Sequence, residues 1–171
     1  MTLTVTDDDG GSDTEEFLFA VIFDPTGSFV TGGGWIDSPF GAYALNPALT
    51  GKASFGFVSK YLKGATVPSG NTQFQFQVGD LSFHSVAYEW LVIAGARAQY
   101  KGTGMINGAG VYGFMLTAID GQVNGGGGVD RFRIKIWDIG TGMIIYDNQM
   151  GTADDGAVLT VLTQGSITIH K

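Results

Sequence analysis

The chain contains no cysteine and only two histidines, His84 and His170, in 171 residues. The missing thiols exclude a disulfide framework, a thiolate metal site and a cysteine nucleophile. Two histidines cannot build a three-histidine zinc centre. Helical patterning is also lacking: no stretch of a dozen residues spaces its apolar side chains by three and four between capping residues. No export signal and no apolar run of about 18 residues occurs, so nothing in the sequence reads as a membrane-spanning helix. Cationic charge is scarce, with nine Lys and Arg against sixteen Asp and Glu. That balance offers no basic field for a nucleic-acid backbone.

What the chain has in excess is glycine, 28 residues, together with 44% apolar residues. A disordered linker is not this hydrophobic, and no Gly-X-Y period is present, so the glycines belong to turns and bulges of a folded protein. The length suits one domain. The net charge of −7 is carried by the N-terminus: residues 1–24 hold seven acids and no base, whereas from residue 25 onward nine acids face nine bases. The expected organisation is therefore an acidic leader over residues 1–27 and a formally neutral body over residues 28–171.

Period-two alternation recurs along the whole body. It predicts strands at 3–6, 16–23, 28–36, 52–61, 72–78, 81–84, 87–93, 97–105, 110–119, 130–138, 142–147, 158–163 and 166–170, separated by Gly, Asp, Asn and Pro clusters. Many short strands at close spacing predict an all-β protein with essentially no helix. Its architecture is an antiparallel sandwich or barrel, jelly-roll-like in outline. Glycines within the segment 99–108 predict bulging and sharp coiling there.

Two sets of residues carry family resemblances. Leu3-Thr-Val-Thr-Asp-Asp-Asp-Gly-Gly-Ser-Asp-Thr-Glu-Glu16 resembles the last strand and closing loop of a PKD domain, an immunoglobulin-like module of bacterial surface proteins. From residue 29 onward the chain resembles a glycine-rich module found near the C-termini of bacterial multidomain surface proteins. That likeness rests on Val30-Thr-Gly-Gly-Gly-Trp-Ile36, Gly56-Phe-Val-Ser-Lys-Tyr61, Trp90-Leu-Val-Ile-Ala-Gly-Ala-Arg-Ala-Gln-Tyr100, Gly113-Phe-Met-Leu-Thr-Ala-Ile-Asp-Gly121 and Arg133-Ile-Lys-Ile-Trp-Asp138. The resemblances imply part of a larger bacterial protein, secreted or displayed at the cell surface, with neighbouring domains as partners. They bring no catalytic residues with them.

Chemistry concentrates around 118–133. Gly125 to Arg133 satisfies the calcium-binding nonapeptide pattern, with Asp130 as its acid and Phe132 as its apolar residue. The pattern stands alone, and a β-roll needs tandem copies to stack. If strands 110–119 and 130–138 form a hairpin, Asp120 and Asp130 face each other, and the loop 150–156 arrives nearby. Asp120, Asn124, Asp130, Asp154 and Asp155 are then the candidate calcium ligands, hard oxygen donors held by a Gly-rich backbone. Asp138 stands eight strand residues off, about 26 Å at roughly 3.3 Å per residue, and cannot join them. The alternative is that these residues only make turns with their own backbone. The acidic run Asp7-Asp-Asp-Gly-Gly-Ser-Asp13 reads either as a solvated interdomain loop or as a second ion site.

Nucleophilic catalysis has little to work with. There is no Gly-x-Ser-x-Gly elbow, and His84 is the one histidine with acids and serines nearby in sequence: Asp80, Ser82, Ser85 and Glu89. The strand 130–138 alternates Arg131, Arg133 and Lys135 against Phe132, Ile134 and Ile136, giving an apolar core row and a basic outer row. That outer row reads as a solvated face balanced by acids, or as a grip for an acidic polysaccharide. Tyr43, Tyr61, Tyr88, Tyr100, Trp35, Trp90 and Trp137 are candidates either for core packing or for sugar stacking. The functional expectation is a calcium-binding, non-catalytic module serving adhesion, display or glycan contact. Its rival is a small calcium-dependent hydrolase of an ester or lactone, such as an acyl-homoserine lactone, with catalytic residues unassigned.

Overall fold

The computed structural model describes residues 28–170, together with the backbone of residues 2–6 and 12–16. The latter form β1 (Thr2–Thr6) and β2 (Ser12–Glu16), an antiparallel pair with a sheet of its own. The expected strand 16–23 falls largely on residues outside those described.

The body is one nine-stranded antiparallel sheet: β3 (Phe29–Ser38), β4 (Gly51–Lys60), β5 (Ser69–Phe76), β6 (Leu81–Ala94), β7 (Arg97–Ile106), β8 (Ala109–Ile119), β9 (Arg131–Asp138), β10 (Ile144–Asp147) and β11 (Gln164–His170). The strand order is β10-β9-β8-β7-β6-β5-β4-β3-β11, so every neighbour is a hairpin partner except β11, which returns to pair with β3. A 3-10 turn at Gln77–Gly79 is the helical element among the described residues. The all-β antiparallel expectation holds.

Alternation explains why these segments are strands. In β5 Thr72, Phe74 and Phe76 are buried while Gln73 and Gln75 are exposed, and in β4 Ala53, Phe55, Phe57 and Ser59 turn inward. The inward rows meet across the fold. Phe55 of β4 stacks on Phe132 of β9 with ring centroids 4.0 Å apart, and Phe74 of β5 packs on Tyr146 of β10 at 4.6 Å. Strands far apart in the sheet order thus share one aromatic core, so the sheet folds over on itself.

The start of β9 and β3, at opposite ends of the strand order, are linked without a continuous ladder. Residues 160–163 straddle the gap: Phe132 N–H donates to Thr160 O at 2.9 Å and Leu162 N–H to Asp130 O at 3.1 Å. From the same segment Thr163 N–H donates to Trp35 O at 3.0 Å. This corrects the expected strand at 158–163. The segment forms one isolated bridge, Val161 with Arg131, because its backbone groups are divided between the start of β9 and β3.

The expected pair 81–84 and 87–93 is a single strand, β6, with register shifts between Ser85 and Ala87 and between Tyr88 and Trp90. The glycines of β7 permit its tight packing on this bulged partner. A Cβ on Gly104 would lie 2.3 Å from His84 O and 2.5 Å from the Phe83 ring.

Candidate functional site

Ile119 pairs with Arg131, so Asp120 and Asp130 leave the β8–β9 hairpin side by side, as the strand pattern predicted. Both reach the outer edge of β11. Asp120 Oδ2 accepts Ile169 N–H at 2.8 Å, and Asp130 Oδ2 accepts Ile167 N–H at 2.7 Å. The second oxygen of each serves the loop: Asp120 Oδ1 accepts Gln122 N–H at 2.9 Å and Asp130 Oδ1 accepts Gly121 N–H at 2.8 Å. The two carboxylates seal edge amides that no strand pairs with. The glycines between them answer to geometry, since a Cβ on Gly126 would stand 2.0 Å from Asp120 O.

The other three expected ligands are used elsewhere or not at all. Asn124 is exposed in the loop. Asp154 pairs with Lys135 at 2.9 Å, and Asp155 is exposed, its charge acting on Arg97. Among the described residues no three His, Asp or Glu side chains come together as a metal-holding group.

The basic row of β9 is not an open face. Arg133, 3% exposed, forks onto Asp147 through Nε (3.0 Å) and Nη2 (2.9 Å), and donates to the carbonyls of Thr152 and Ala153. The bond to Asp147 raises the guanidinium pKa above its ordinary value against the opposing effect of burial. Arg131 donates to Gly126 O and Lys135 holds Asp154, so all three cations are committed.

His84 lies on the outer face of β6 between Gln73 and Met105. No described residue hydrogen-bonds its ring. Glu89 pairs instead with Lys101 at 2.8 Å, and the Ser85 hydroxyl accepts Thr72 N–H at 2.8 Å. The base and orienter imagined around His84 are therefore not assembled.

The aromatics divide clearly. Tyr88 and Tyr100 are core residues joined through the Thr72 hydroxyl at 2.8 and 2.9 Å. Tyr43 packs edge-on against Phe76, and the Tyr61 hydroxyl accepts Leu91 N–H. Trp90 is half-buried, and Trp137 lies across Gly113 with two lysines over its ring. Trp35 is on the outer face of β3, with Lys52 Nζ 5.1 Å from its ring centroid and its Nε1–H donating to Gln164 Oε1 at 3.2 Å.

Beyond Trp35 and the Lys52 ammonium over its ring, the outer face opens into rows of uncharged positions. Cross-strand register lines up Gln164, Trp35, Ser54, Gln75 and Ser82 in one row. The next row is Ser166, Gly33, Gly56, Gln73 and His84. Beyond it run Thr168, Thr31, Val58 and Asn71. Gly33 and Gly56 are register partners, and a Cβ on either meets nothing closer than 3.9 Å. They leave a bare strip of backbone between polar walls.

The strip deepens beside β5. Ser54, Phe55, Gly56, Gln73 and Gln75 line a depression of about 240 Å³. A second, of about 150 Å³, is lined by Gln75, Gln77, Asp80, Leu81 and Ser82. Sequence reading singled out Trp35 but missed the glutamines. Their signal was Thr72-Gln-Phe-Gln-Phe-Gln77, an alternation whose solvent positions are all amides and never charges.

No family model, curated protein or solved structure matches the chain.

Proposed function

We propose that the protein is a non-catalytic binding module that contacts glycan through the outer face of β11, β3, β4, β5 and β6. The observation that carries this reading is the uncharged trough itself. Its amides and hydroxyls both donate and accept, which suits the mixed hydroxyl groups of a sugar. Trp35 borders the trough as an aromatic surface with one polar edge, the type of side chain that packs on the apolar face of a sugar ring. The trough is shallow and open, so a ligand lies along it and is not enclosed. A secreted or cell-surface setting, as the glycine-rich resemblance implies, puts such a face where polysaccharides are. No ion enters this reading, since the trough holds no acid cluster and the carboxylates of Asp120 and Asp130 are engaged at the β11 edge.

Retention on immobilised plant and bacterial polysaccharides tests it. Wild-type protein should be retarded on at least one of them, and Trp35→Ala or Gln73→Ala should weaken retention about fivefold or more, the loss of roughly 1 kcal/mol. Gln73 is exposed, so the melting curve of Gln73→Ala should hardly move. Trp35→Ala also loses the Gln164 bond and the Lys52 contact, and should cost about 1 kcal/mol of stability while staying folded. Equal retention by wild type and variants would refute the site. Steady release of acid from a lactone or ester by purified protein would support the hydrolase instead.

A further inference from the structure

Given the glycan-contact reading, on which this step rests, we infer that the ligand is an uncharged, extended chain of at least two sugar units lying along β5 from Gly56 to Asp80. The two depressions are not separate sites. They share Gln75, which stands between them as a common wall. The first sits in a two-by-two block of outward positions, where Ser54 faces Gln75 and Gly56 faces Gln73. Short side chains on β4 and long amides on β5 make it a step with one high side. The second continues past Gln75, where Ser82 is the register partner, and ends at the left-handed turn of Asp80. From Gln73 to Gln77 the backbone advances about 13 Å at roughly 3.3 Å per residue, longer than one sugar ring. The floor is therefore built for consecutive units.

Charge sets the class. The fourteen outward positions of the three rows include no Asp, Glu, Lys or Arg, and His84 is the one titratable group among them. Lys52 and Lys60 stand at the ends of β4; the Lys52 ammonium reaches the Trp35 ring at the border of the trough, and neither lysine lines the two depressions. No residue lining the two depressions neutralises a uronic acid or a sulfate. The charge at the far end has the opposite sign: Asp80 is exposed, and its carboxylate receives no hydrogen bond from a described residue. A carboxylate accepts two neighbouring sugar hydroxyls through charge-assisted bonds and repels an acidic unit.

Calorimetric titration of the full chain with glucose, cellobiose, cellohexaose, mannohexaose and a galacturonate hexasaccharide tests the inference. Affinity for one of the neutral series should rise with chain length, and the galacturonate chain should bind at least about tenfold more weakly. Gln75→Ala, which removes the shared wall, should weaken the neutral hexasaccharide about tenfold while affecting the short sugars less. Asp80→Asn should narrow the gap between the neutral and the acidic chain. Galacturonate binding as tight as the neutral series, or affinity independent of length, would overturn this inference while leaving glycan contact standing. Failure of every sugar, neutral and acidic, in calorimetry and in polysaccharide retention would overturn both.

Discussion

Asp120 shows how a single residue can be read in two ways. In sequence it is an acid beside glycines, the dress of a calcium ligand. In the fold it is 3% exposed and spends one oxygen on Ile169 N–H, a donor on the far side of the molecule's chain path. Hydrogen bonds to a charged acceptor contribute about 1.5–3 kcal/mol, and a buried donor left unmade costs a similar amount. Asp120→Ala should therefore destabilise the protein by about 3 kcal/mol in urea unfolding, and Asp120→Asn, which keeps an acceptor, should cost less. Full stability in Asp120→Ala would mean that the β11 edge is held by other groups. Arg133 and Asp147 are a comparable case: buried and paired, they hold the loop at Thr152 and Ala153 against β9, so their basic and acidic character serves packing.

At the scale of elements, the polar groups inside the sheet tie three strands together. Thr72 of β5 bridges Tyr88 of β6 and Tyr100 of β7, and Ser85 adds a fourth hydroxyl at 3.3 Å from Tyr88. Burial raises the phenols of Tyr88 and Tyr100 above their ordinary pKa of 10.0, and burial does the same to Tyr146 of β10. Below pH 10 both folded and unfolded chains carry neutral phenols, so this contribution to stability is complete. Above it the unfolded chain releases protons that the folded chain retains, and stability falls as pH rises toward the folded values. Alkaline titration should therefore show part of the phenolate absorbance arriving only with loss of the β-sheet signal. Complete phenol ionisation near pH 10 with the sheet intact would contradict the burial of these rings.

At the scale of the molecule, the strands were legible wherever one face meets the core and the other meets water. The Gln-Phe alternation of β5 is a direct record of that division, and in β9 the cations flanking Phe132, Ile134 and Ile136 mark the face turned from the core. Residues 158–163 carry the same β-branched signature, yet they cross the open side of the sheet because β11 already lies beside β3. Alternation reports a segment's two faces and not its partners. The same limit hid the roles of Asp120 and Asp130: their acceptor bonds depend on where β11 lands, 49 and 37 residues further along the chain. The trough escaped notice for a related reason. It is assembled from every second residue of five strands, and no stretch of sequence contains more than a few of its parts.

The central claim is that this outer face, and not the Asp120–Asp130 end, is where the protein meets its ligand. Backbone amide spectra recorded while adding neutral hexasaccharides, cellohexaose and mannohexaose in turn, test it most directly. Binding at the trough predicts shifts at Trp35, Ser54, Gln73, Gln75 and Ser82, with Asp120, Asp130, Ile167 and Ile169 unmoved. Shifts confined to the Asp120–Asp130 end, or a trough that stays silent while sugar binds elsewhere, would contradict it.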